Sequence, residues 1–380
     1  MKILYIHQYF KIPEEGGAIR SYYLAKALLE AGHEVEIITT HNAATSYTKV
    51  LEGLTVHYIS NYYSNELSYR KRIWSFLKFI WKAYRKALSV KEVDWVYATS
   101  TPLSVGIIAL LLKYLHRKKY IFEVRDLWPL VPIDMGIITQ PWLIKILYGL
   151  EKRIYDRAEK IVALSPPMED DIVKKTTTQV YCLPNIADIS FWQKKEACGE
   201  KSAPRIIAYI GTIGIANQVA QLVEVAQYFQ ERGANDFHFW VIGAGKEKAD
   251  LITLAENYQL HNVKFFSPVD KFQLRKMMAC IDAMYISYAP YVSLQASSPN
   301  KFFDSLASGK MLIVNIEGWL KEVVVQHQCG VYADNAAMLY NQMMALQEED
   351  WQAYGQSALK VARQYFAKDH ITTQFVKLFM

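Results

Sequence analysis

The chain has 380 residues, 52% of them hydrophobic and 21% charged, and a net charge of +6. This length suits two domains of roughly 150–200 residues, and the composition excludes a disordered chain. The longest apolar run, residues 105–112, is far below the ~20 residues needed to cross a bilayer, so we expect no membrane span.

The spacing of the cysteines and the length of the first apolar run bear on whether the protein is cytoplasmic or secreted. The four cysteines are scattered without a C-x-x-C pair, at Cys182, Cys198, Cys280 and Cys329. This spacing argues against a zinc site or a disulfide framework and fits a reducing environment. The first apolar run is too short for a signal peptide. We therefore expect a cytoplasmic protein.

The first half alternates apolar runs with helical periodicity, which is typical of a parallel, doubly wound α/β sheet. The pattern predicts strands at residues 3–7, 34–39, 55–59, 94–98, 120–123 and 160–164. It predicts helices at residues 18–31, 70–88, 103–116 and 142–157. We assign residues 1–190 to the first domain.

A glycine pair follows the first predicted strand. Gly16 and Gly17 precede Arg20 at the opening of a helix. Adjacent glycines allow a ligand to approach the backbone, and a helix N-terminus offers free N–H donors. A simple turn is the alternative interpretation.

Residues 70–86 contain seven basic residues and no acid. Helical spacing places five apolar side chains on one stripe that we expect to pack on the sheet: Ile73, Leu77, Ile80, Trp81 and Tyr84. The same helix has the composition of a segment that lies on an anionic membrane. The residues predicted to contact that membrane are Arg70, Trp74, Lys78, Trp81 and Lys82. No nucleic-acid-binding motif accompanies the charge.

An Arg–Asp pair follows the strand at residues 120–123. Arg125 and Asp126 stand three and two residues before Trp128. Arg125 is suited to hold an anionic group, and Asp126 to accept hydrogen bonds from hydroxyl groups. A structural salt bridge within the loop is the alternative.

The strand–helix rhythm is interrupted at residues 184–204 and then restarts. Strands are predicted at residues 205–210, 237–242, 262–266, 283–287 and 311–315. Helices are predicted at residues 217–232, 248–258, 271–280, 301–307 and 362–378. We assign residues 200–361 to a second doubly wound domain. Ligands of such domains bind at the carboxyl ends of the strands.

Two glycine loops follow strands of the second domain and suit a diphosphate. The first contains Gly211, Thr212 and Gly214, and the second contains Gly243, Gly245 and Lys246. Neither has the spacing of a dinucleotide fingerprint or of a P-loop.

The most informative segment is residues 298–310, a loop and a short helix that ends at Gly309. Pro299 and Asn300 lead into the helix, which carries Lys301 and Asp304. One positive charge and one carboxylate thus lie near a helix N-terminus, which itself favours phosphate.

Taken in order, these segments resemble the retaining glycosyltransferases of family 4, which have the GT-B fold, and especially their bacterial surface-polysaccharide branch (capsule, O-antigen). Further matching segments are residues 32–35, 99–103, 163–165 and 184–185. The resemblance implies sugar transfer with retention from a nucleotide-diphosphate donor, commonly a UDP-sugar. It implies a lipid-diphosphate-linked saccharide acceptor at the inner membrane face, no metal or other cofactor, and a final helix at residues 362–380 that crosses back to the first domain.

The resemblance also implies roles for individual residues. Lys301 would neutralise the leaving diphosphate, and Asp304 would hold donor hydroxyls. The remaining donor contacts would come from Gly211, Thr212, Gly214, Gly243, Gly245, Lys246, Val269, Pro299 and Asn300. The first domain would present five residues to the reacting centre and the acceptor: Gly16, Gly17, Arg20, Arg125 and Asp126.

Five positions depart from the family pattern, one of them Asp304, which is a shorter acid than the glutamate of that pattern. Ala296 stands where a glutamate is frequent, Thr212 and Asn217 stand where arginine and lysine are frequent, and Arg125 replaces a frequent histidine. These changes suit a deoxy or N-acetylated donor sugar, or a loss of activity. A non-catalytic partner subunit and a soluble GT-B enzyme, such as a sugar-nucleotide epimerase, are therefore alternatives.

Overall fold

A computed structural model of the protein describes residues 1–17, 19–64, 67–100, 103–194, 196, 198 and 204–380. It contains two sheets with helices on their faces, which confirms the predicted pair of doubly wound α/β domains. Ala18, Thr101 and Pro102 lie outside the described residues, as do residues 195, 197 and 199–203 of the predicted linker.

The first domain is built on an eight-stranded sheet with the strand order β3-β4-β2-β1-β5-β6-β7-β8, in which only β3 is antiparallel to its neighbour. Its elements are β1 (Lys2–Ile6), α1 (Arg20–Glu30), β2 (Glu34–His41), β3 (Tyr47–Leu51), β4 (Leu54–Ser60), α2 (Tyr69–Ser89), β5 (Trp95–Thr99), α3 (Ser104–His116), β6 (Lys119–Val124), α4 (Leu130–Asp134), α5 (Pro141–Arg157), β7 (Lys160–Ala163), α6 (Pro166–Val173) and β8 (Val180–Cys182). The central strands are continuously apolar because helices cover both faces of a parallel sheet.

The second domain has a six-stranded parallel sheet with the order β11-β10-β9-β12-β13-β14. A short helix, α7 (Ile189–Trp192), precedes it. Its elements are β9 (Arg205–Ile210), α8 (Ala220–Glu231), β10 (Phe237–Ile242), α9 (Lys248–Asn257), β11 (Val263–Phe266), α10 (Lys271–Cys280), β12 (Ala283–Ile286), α11 (Asn300–Ser308), β13 (Met311–Val314), α12 (Trp319–Gln326), β14 (Gly330–Tyr332), α13 (Ala336–Ala345) and α14 (Glu348–Tyr365). A last helix, α15 (Lys368–Val376), follows the second domain.

The sequence pattern misses three strands and five helices, α4, α6, α7, α12 and α13, and misplaces one helix boundary. The strands β3, β8 and β14 lie at sheet edges, where one neighbour is absent and the apolar pattern is weak. The prediction of a single helix at residues 362–378 is wrong. The helical conformation is interrupted at Phe366 and Ala367, which separate α14 from α15. Ala367 is extended there and forms a β-bridge with Ala187.

The helix α15 packs on the first domain, although it follows the second in sequence. Phe375 and Phe379 are buried in the core of the first domain, and the Phe375 ring lies 4.9 Å from that of Tyr97 in β5. The Lys160 ammonium donates a hydrogen bond to the carbonyl of Leu378. The end of the described chain thus belongs structurally to its beginning.

The orientation of α2 differs from the prediction. Its buried face consists of Ser75, Phe79, Ala83 and Ala87. Of the stripe expected to pack inward, Ile80 and Tyr84 are half-buried, whereas Ile73, Leu77 and Trp81 are exposed. Trp74 is 69% exposed and Trp81 60%, so an apolar surface flanked by cations faces outward. Throughout the described part of the chain, no helix has the length and apolarity to span a membrane.

The prediction that the chain lacks disulfides is wrong for two of the four cysteines. Cys198, between the domains, is bonded to Cys280 at the end of α10, while Cys182 and Cys329 are free. Because 82 residues separate the bonded pair, their spacing in the sequence gives no sign of proximity. The bond anchors the segment between the domains to the second domain.

Candidate active site

A cleft of about 1000 Å³ lies between the two domains, at the carboxyl ends of their central strands. Most of the predicted site residues line it: Gly17, Arg125, Asp126, Gly211, Thr212, Gly243, Gly245, Lys246, Val269, Pro299, Asn300, Lys301 and Asp304. The residues predicted to contact a membrane lie on α2 and are not among the described residues of its lining.

The two glycine loops of the second domain pack directly on each other. The Gly211 N–H donates to the carbonyl of Ile242 at 3.0 Å, and the Ile213 N–H donates to that of Ala244 at 2.9 Å. A Cβ atom on Gly245 would lie 1.8 Å from the carbonyl oxygen of Ile213. Gly245 is therefore required for contact between the loops, rather than only for the approach of a ligand.

We expect Gly245→Ala to distort the side of the cleft formed by the two glycine loops. The added methyl group would overlap the carbonyl oxygen of Ile213, the residue whose N–H donates to the second loop. Overpacking of this kind costs ~1–3 kcal/mol or more. Thermal unfolding and nucleotide affinity should both decrease. Gly214→Ala is the control, because a Cβ there meets no atom within 4 Å. Equal behaviour of the two variants would contradict the steric argument.

Lys301 is a cation without an acidic partner in the part of the structure that is described. Its ammonium lies 4.0 Å from the ring centre of Tyr209 and 5.4 Å from that of Tyr288, and donates to Asn217 Oδ1 at 3.3 Å. Burial lowers the pKa of Lys301 to about 7. A neighbouring anion would raise this pKa, because it stabilises the charged form.

Binding of a nucleotide diphosphate should therefore be coupled to protonation of Lys301. Affinity should be highest below pH 7 and fall by up to tenfold per pH unit above it, until the pH reaches the raised pKa of the bound state. Titration calorimetry with UDP-glucose at several pH values measures this slope. In Lys301→Arg the guanidinium stays charged, so the slope should disappear. The same slope in both proteins would contradict the assignment.

Asp304 faces the cleft from α11 and is held by two side chains. The Trp192 indole N–H donates to Asp304 Oδ1 at 2.7 Å, and the Lys271 ammonium lies 3.8 Å from the same oxygen. Burial raises the pKa of Asp304, partly offset by Lys271. Lys271 is itself enclosed by aromatic rings, with the Phe191 ring centre 4.8 Å from its ammonium.

Arg125 and Asp126 line the cleft from the first domain. The Arg125 backbone N–H donates to Ser100 Oγ at 2.9 Å, and its Nη1 lies 3.4 Å from His7 Nε2. Burial and the charge of Arg125 hold the pKa of His7 well below its ordinary value. His7 is therefore neutral and leaves the positive charge on Arg125.

Three predicted residues are not among those that line the cleft. Arg20 is 2% exposed and forms an ion pair with Glu123, so its predicted acceptor role is corrected to a structural one. Gly16 packs on the second domain, where a Cβ would lie 3.1 Å from the Val269 carbonyl oxygen. Gly214 begins a short 3-10 turn beside the cleft.

Ala296, the position at which family members frequently carry glutamate, packs against the first domain. Its carbonyl accepts a hydrogen bond from Ser165 Oγ at 2.6 Å, and the side chain is 6% exposed. Nearby, Asn185 Nδ2 donates to the carbonyl of Ser298 at 2.6 Å. The loop before α11 thus presents no carboxylate at this position.

Several residues that line the cleft have no site role in the sequence-based prediction, notably His7, Asn185, Lys248, Lys271 and Tyr288. Lys248 donates to the carbonyls of Gly243 and Phe266 at 2.9 and 2.7 Å and so fixes the second glycine loop. His7 and Lys248 have a detectable signal, because His7 ends the predicted strand at residues 3–7 and Lys248 stands three residues after Gly245 of the second glycine loop. Lys271 has none, since it opens an ordinary amphipathic helix.

Two family models match the chain. Glycosyltransferase Family 4 matches residues 15–191, and Glycosyl transferases group 1 matches residues 190–356. The chain belongs to the family 4 glycosyltransferases. The resemblance inferred from the sequence motifs is therefore confirmed.

One curated relative and two solved structures are similar to the chain. TuaH of Bacillus subtilis (strain 168), described as a teichuronic acid biosynthesis glycosyltransferase, is 23% identical over 201 residues, which are 51% of this chain and about half (49%) of TuaH. Sucrose-phosphate synthase from Thermosynechococcus elongatus superposes with a TM-score of 0.78 at 14% identity, covering 100% of this chain and 98% of its own. Anabaena HepE in complex with UDP and glucose gives 0.70 at 14% identity, with 100% and 99% covered. These structures show the GT-B fold.

Proposed function

We propose that the protein transfers a sugar, with retention of anomeric configuration, from a UDP-sugar to a lipid-linked saccharide in bacterial surface-polysaccharide synthesis. The observation that supports this proposal most strongly is the position of the Lys301 ammonium in the cleft. A half-buried cation without a described acidic partner, beside two packed glycine loops, is suited to receive the charge of a diphosphate.

The cleft residues divide the proposed reaction between them. As the bond from the anomeric carbon to the diphosphate breaks, negative charge develops on the leaving oxygen, and Lys301 stabilises it. Asp304 Oδ1 is occupied by Trp192 and Lys271, so we assign Oδ2 to a donor hydroxyl. The acceptor hydroxyl attacks the anomeric carbon from the face of the leaving group and gives its proton to the departing phosphate oxygen, so the step requires no protein nucleophile. The proposal needs no metal ion, since Lys301 supplies the positive charge.

UDP is the proposed nucleotide because HepE, which shares the fold, was solved with UDP and glucose. TuaH is described as serving teichuronic acid biosynthesis, which supports a surface-polysaccharide role. Ala296 in place of a carboxylate supports a donor sugar with an altered hydroxyl pattern, either deoxy or N-acetylated.

The lipid-linked acceptor is supported by α2, whose exposed apolar surface includes Trp74, Leu77 and Trp81 between cations. Tryptophan and basic residues on one helix are typical of helices that lie in the membrane interface. We propose that α2 holds the protein on the inner face of the membrane, where a lipid-linked acceptor is presented to the cleft.

The experiment has two stages. Thermal unfolding with UDP, GDP, ADP and TDP identifies the donor base, because a ligand at ~100 times its dissociation constant stabilises by ~2.7 kcal/mol. Radiolabelled UDP-sugars are then incubated with bacterial lipid extracts. A selective shift with UDP and label in the lipid fraction support the proposal. Binding without transfer to any lipid would support a non-catalytic subunit, and the absence of any shift would contradict a donor site.

A further inference from the structure

A second cavity, of about 450 Å³, lies between the β3–β4 hairpin and the middle of α2. The residues that define it here are Tyr47, Tyr58, Trp81, Lys82, Arg85 and Lys86. We call it the headgroup cavity. None of the described residues that line it also lines the interdomain cleft. It is therefore separate from the proposed donor site.

The headgroup cavity is positively charged. Lys82, Arg85 and Lys86 line it, and none of its described lining residues is acidic. Lys82 is fixed in place because its ammonium donates to the carbonyl of Ser60 at 2.6 Å. Three cations that line one cavity without a lining carboxylate favour an anion with several acceptor oxygens, such as a phosphate ester.

His57 also lines the cavity but adds no charge to it. Its Nε2 lies 2.6 Å from Glu36 Oε2, and its Nδ1 lies 2.8 Å from Thr48 Oγ1. Burial lowers the pKa of His57, which Glu36 only partly offsets. The ring is therefore neutral, with Nε2 donating to Glu36 and Nδ1 accepting from Thr48.

Aromatic rings form the rest of the wall. Tyr47 and Tyr58 are stacked, with ring centres 4.8 Å apart and an interplanar angle of 21°. The Arg85 guanidinium lies 5.7 Å from the centre of the Trp81 ring. Aromatic faces beside cations suit a ligand that joins an anionic group to a hydroxylated carbon skeleton.

Trp81 links the headgroup cavity to the outward face of α2. It lines the cavity and is also one of the exposed residues that follow one another along that face, with Trp74 and Leu77. A lipid surface that received these side chains would bring its headgroups to the opening of the cavity.

We infer that this cavity binds the phosphate-bearing headgroup of an anionic lipid. The phosphate contacts Lys82, Arg85 and Lys86, and the hydroxylated part of the headgroup contacts Tyr47 and Tyr58. The inference rests on the proposed function only in placing the protein at a membrane. Under this inference, one lipid headgroup binds at a defined site, in contrast to a diffuse attraction between α2 and negatively charged lipids.

The test compares two double variants that remove the same charge from the same helix. Arg85→Gln/Lys86→Gln changes the cavity, and Lys71→Gln/Lys78→Gln changes exposed cations that do not line it. Binding is measured by sedimentation with phosphatidylcholine vesicles, with and without phosphatidylglycerol. Diffuse attraction weakens both variants by about 30-fold. The cavity predicts a loss at least tenfold larger for Arg85→Gln/Lys86→Gln, and a clear loss for Tyr47→Ala, which leaves the charge unchanged.

Glycerol 3-phosphate and inorganic phosphate distinguish the source of the phosphate. We expect glycerol 3-phosphate to stabilise the wild type more than inorganic phosphate does, and to have no effect on Arg85→Gln/Lys86→Gln. Equal loss of vesicle binding in the two double variants, with Tyr47→Ala unchanged, would overturn the inference. Stabilisation by glycerol 3-phosphate with equal vesicle losses would overturn its lipid part, because the ligand is then a soluble ester. UDP-induced stabilisation of the same proteins tests the donor cleft independently.

Discussion

Lys301→Ala should reduce the turnover number for sugar transfer by about 10²–10³-fold, the usual effect of removing one preorganised electrostatic group from an active site. The variant should remain folded and unfold no more easily than the wild type, because a desolvated ammonium that has no described acidic partner is lost. Steady-state kinetics with the donor identified by thermal unfolding, together with circular dichroism, measures both effects.

Lys246→Ala is the matched control, since Lys246 also lines the cleft but is exposed. An exposed cation contributes less than a buried one because water screens it, so this variant should lose much less activity. Lys301→Arg should restore part of the turnover by keeping the charge. Full activity in Lys301→Ala would contradict the role of Lys301 and with it the proposed mechanism.

Arg20→Ala should lower the free energy of unfolding by about 3–5 kcal/mol, as expected when one partner of a buried ion pair is removed. The Arg20 Nε donates to Glu123 Oε2 at 2.9 Å, and its Nη2 donates to the carbonyl of Leu183 at 2.9 Å. Burial alone would raise the pKa of Glu123, but Arg20 and further partners hold it at about 2. Without Arg20 this carboxylate is desolvated and poorly compensated. Urea unfolding monitored by fluorescence measures the loss.

Lys26→Ala on the same helix is the control for Arg20. Lys26 forms an exposed ion pair with Glu52 at 3.1 Å, and pairs of this kind contribute about 0–1 kcal/mol. If Arg20→Ala were as stable as Lys26→Ala and had instead lost acceptor binding, the original prediction from the glycine loop would be right and the structural role wrong.

The sequence predicts those strands and helices whose apolar residues follow a regular pattern. The central strands of both sheets are apolar and bounded by turn residues, so their positions differ from prediction by only a few residues. The edge strand β3 is exposed along nearly its whole length and has no such pattern. The prediction of which face of α2 points inward is wrong, because aromatic spacing alone does not show which side of a helix is buried. Phe79 and Ala83 lie on the buried side.

The site residues that the sequence predicts are those at the ends of strands and helices, whereas residues placed by side-chain direction or by packing are not predicted. Gly211, Gly243 and Lys301 lie at strand or helix ends, which the topology of a doubly wound domain brings to one edge. Arg20 also follows a glycine loop, but its long side chain turns into the core, and the sequence does not specify that direction. The pairing of Lys271 with Asp304 depends on the packing of α10 against the rest of the domain, which local spacing does not describe.

The packing of α15 has a consequence for synthesis of the protein. Phe375, Leu378 and Phe379 fill the core of the first domain but follow the whole second domain in sequence. Multidomain chains generally fold domain by domain as they leave the ribosome. Here the first domain remains without part of its interior until the second has been translated, so the nascent chain carries an open apolar surface for most of its elongation.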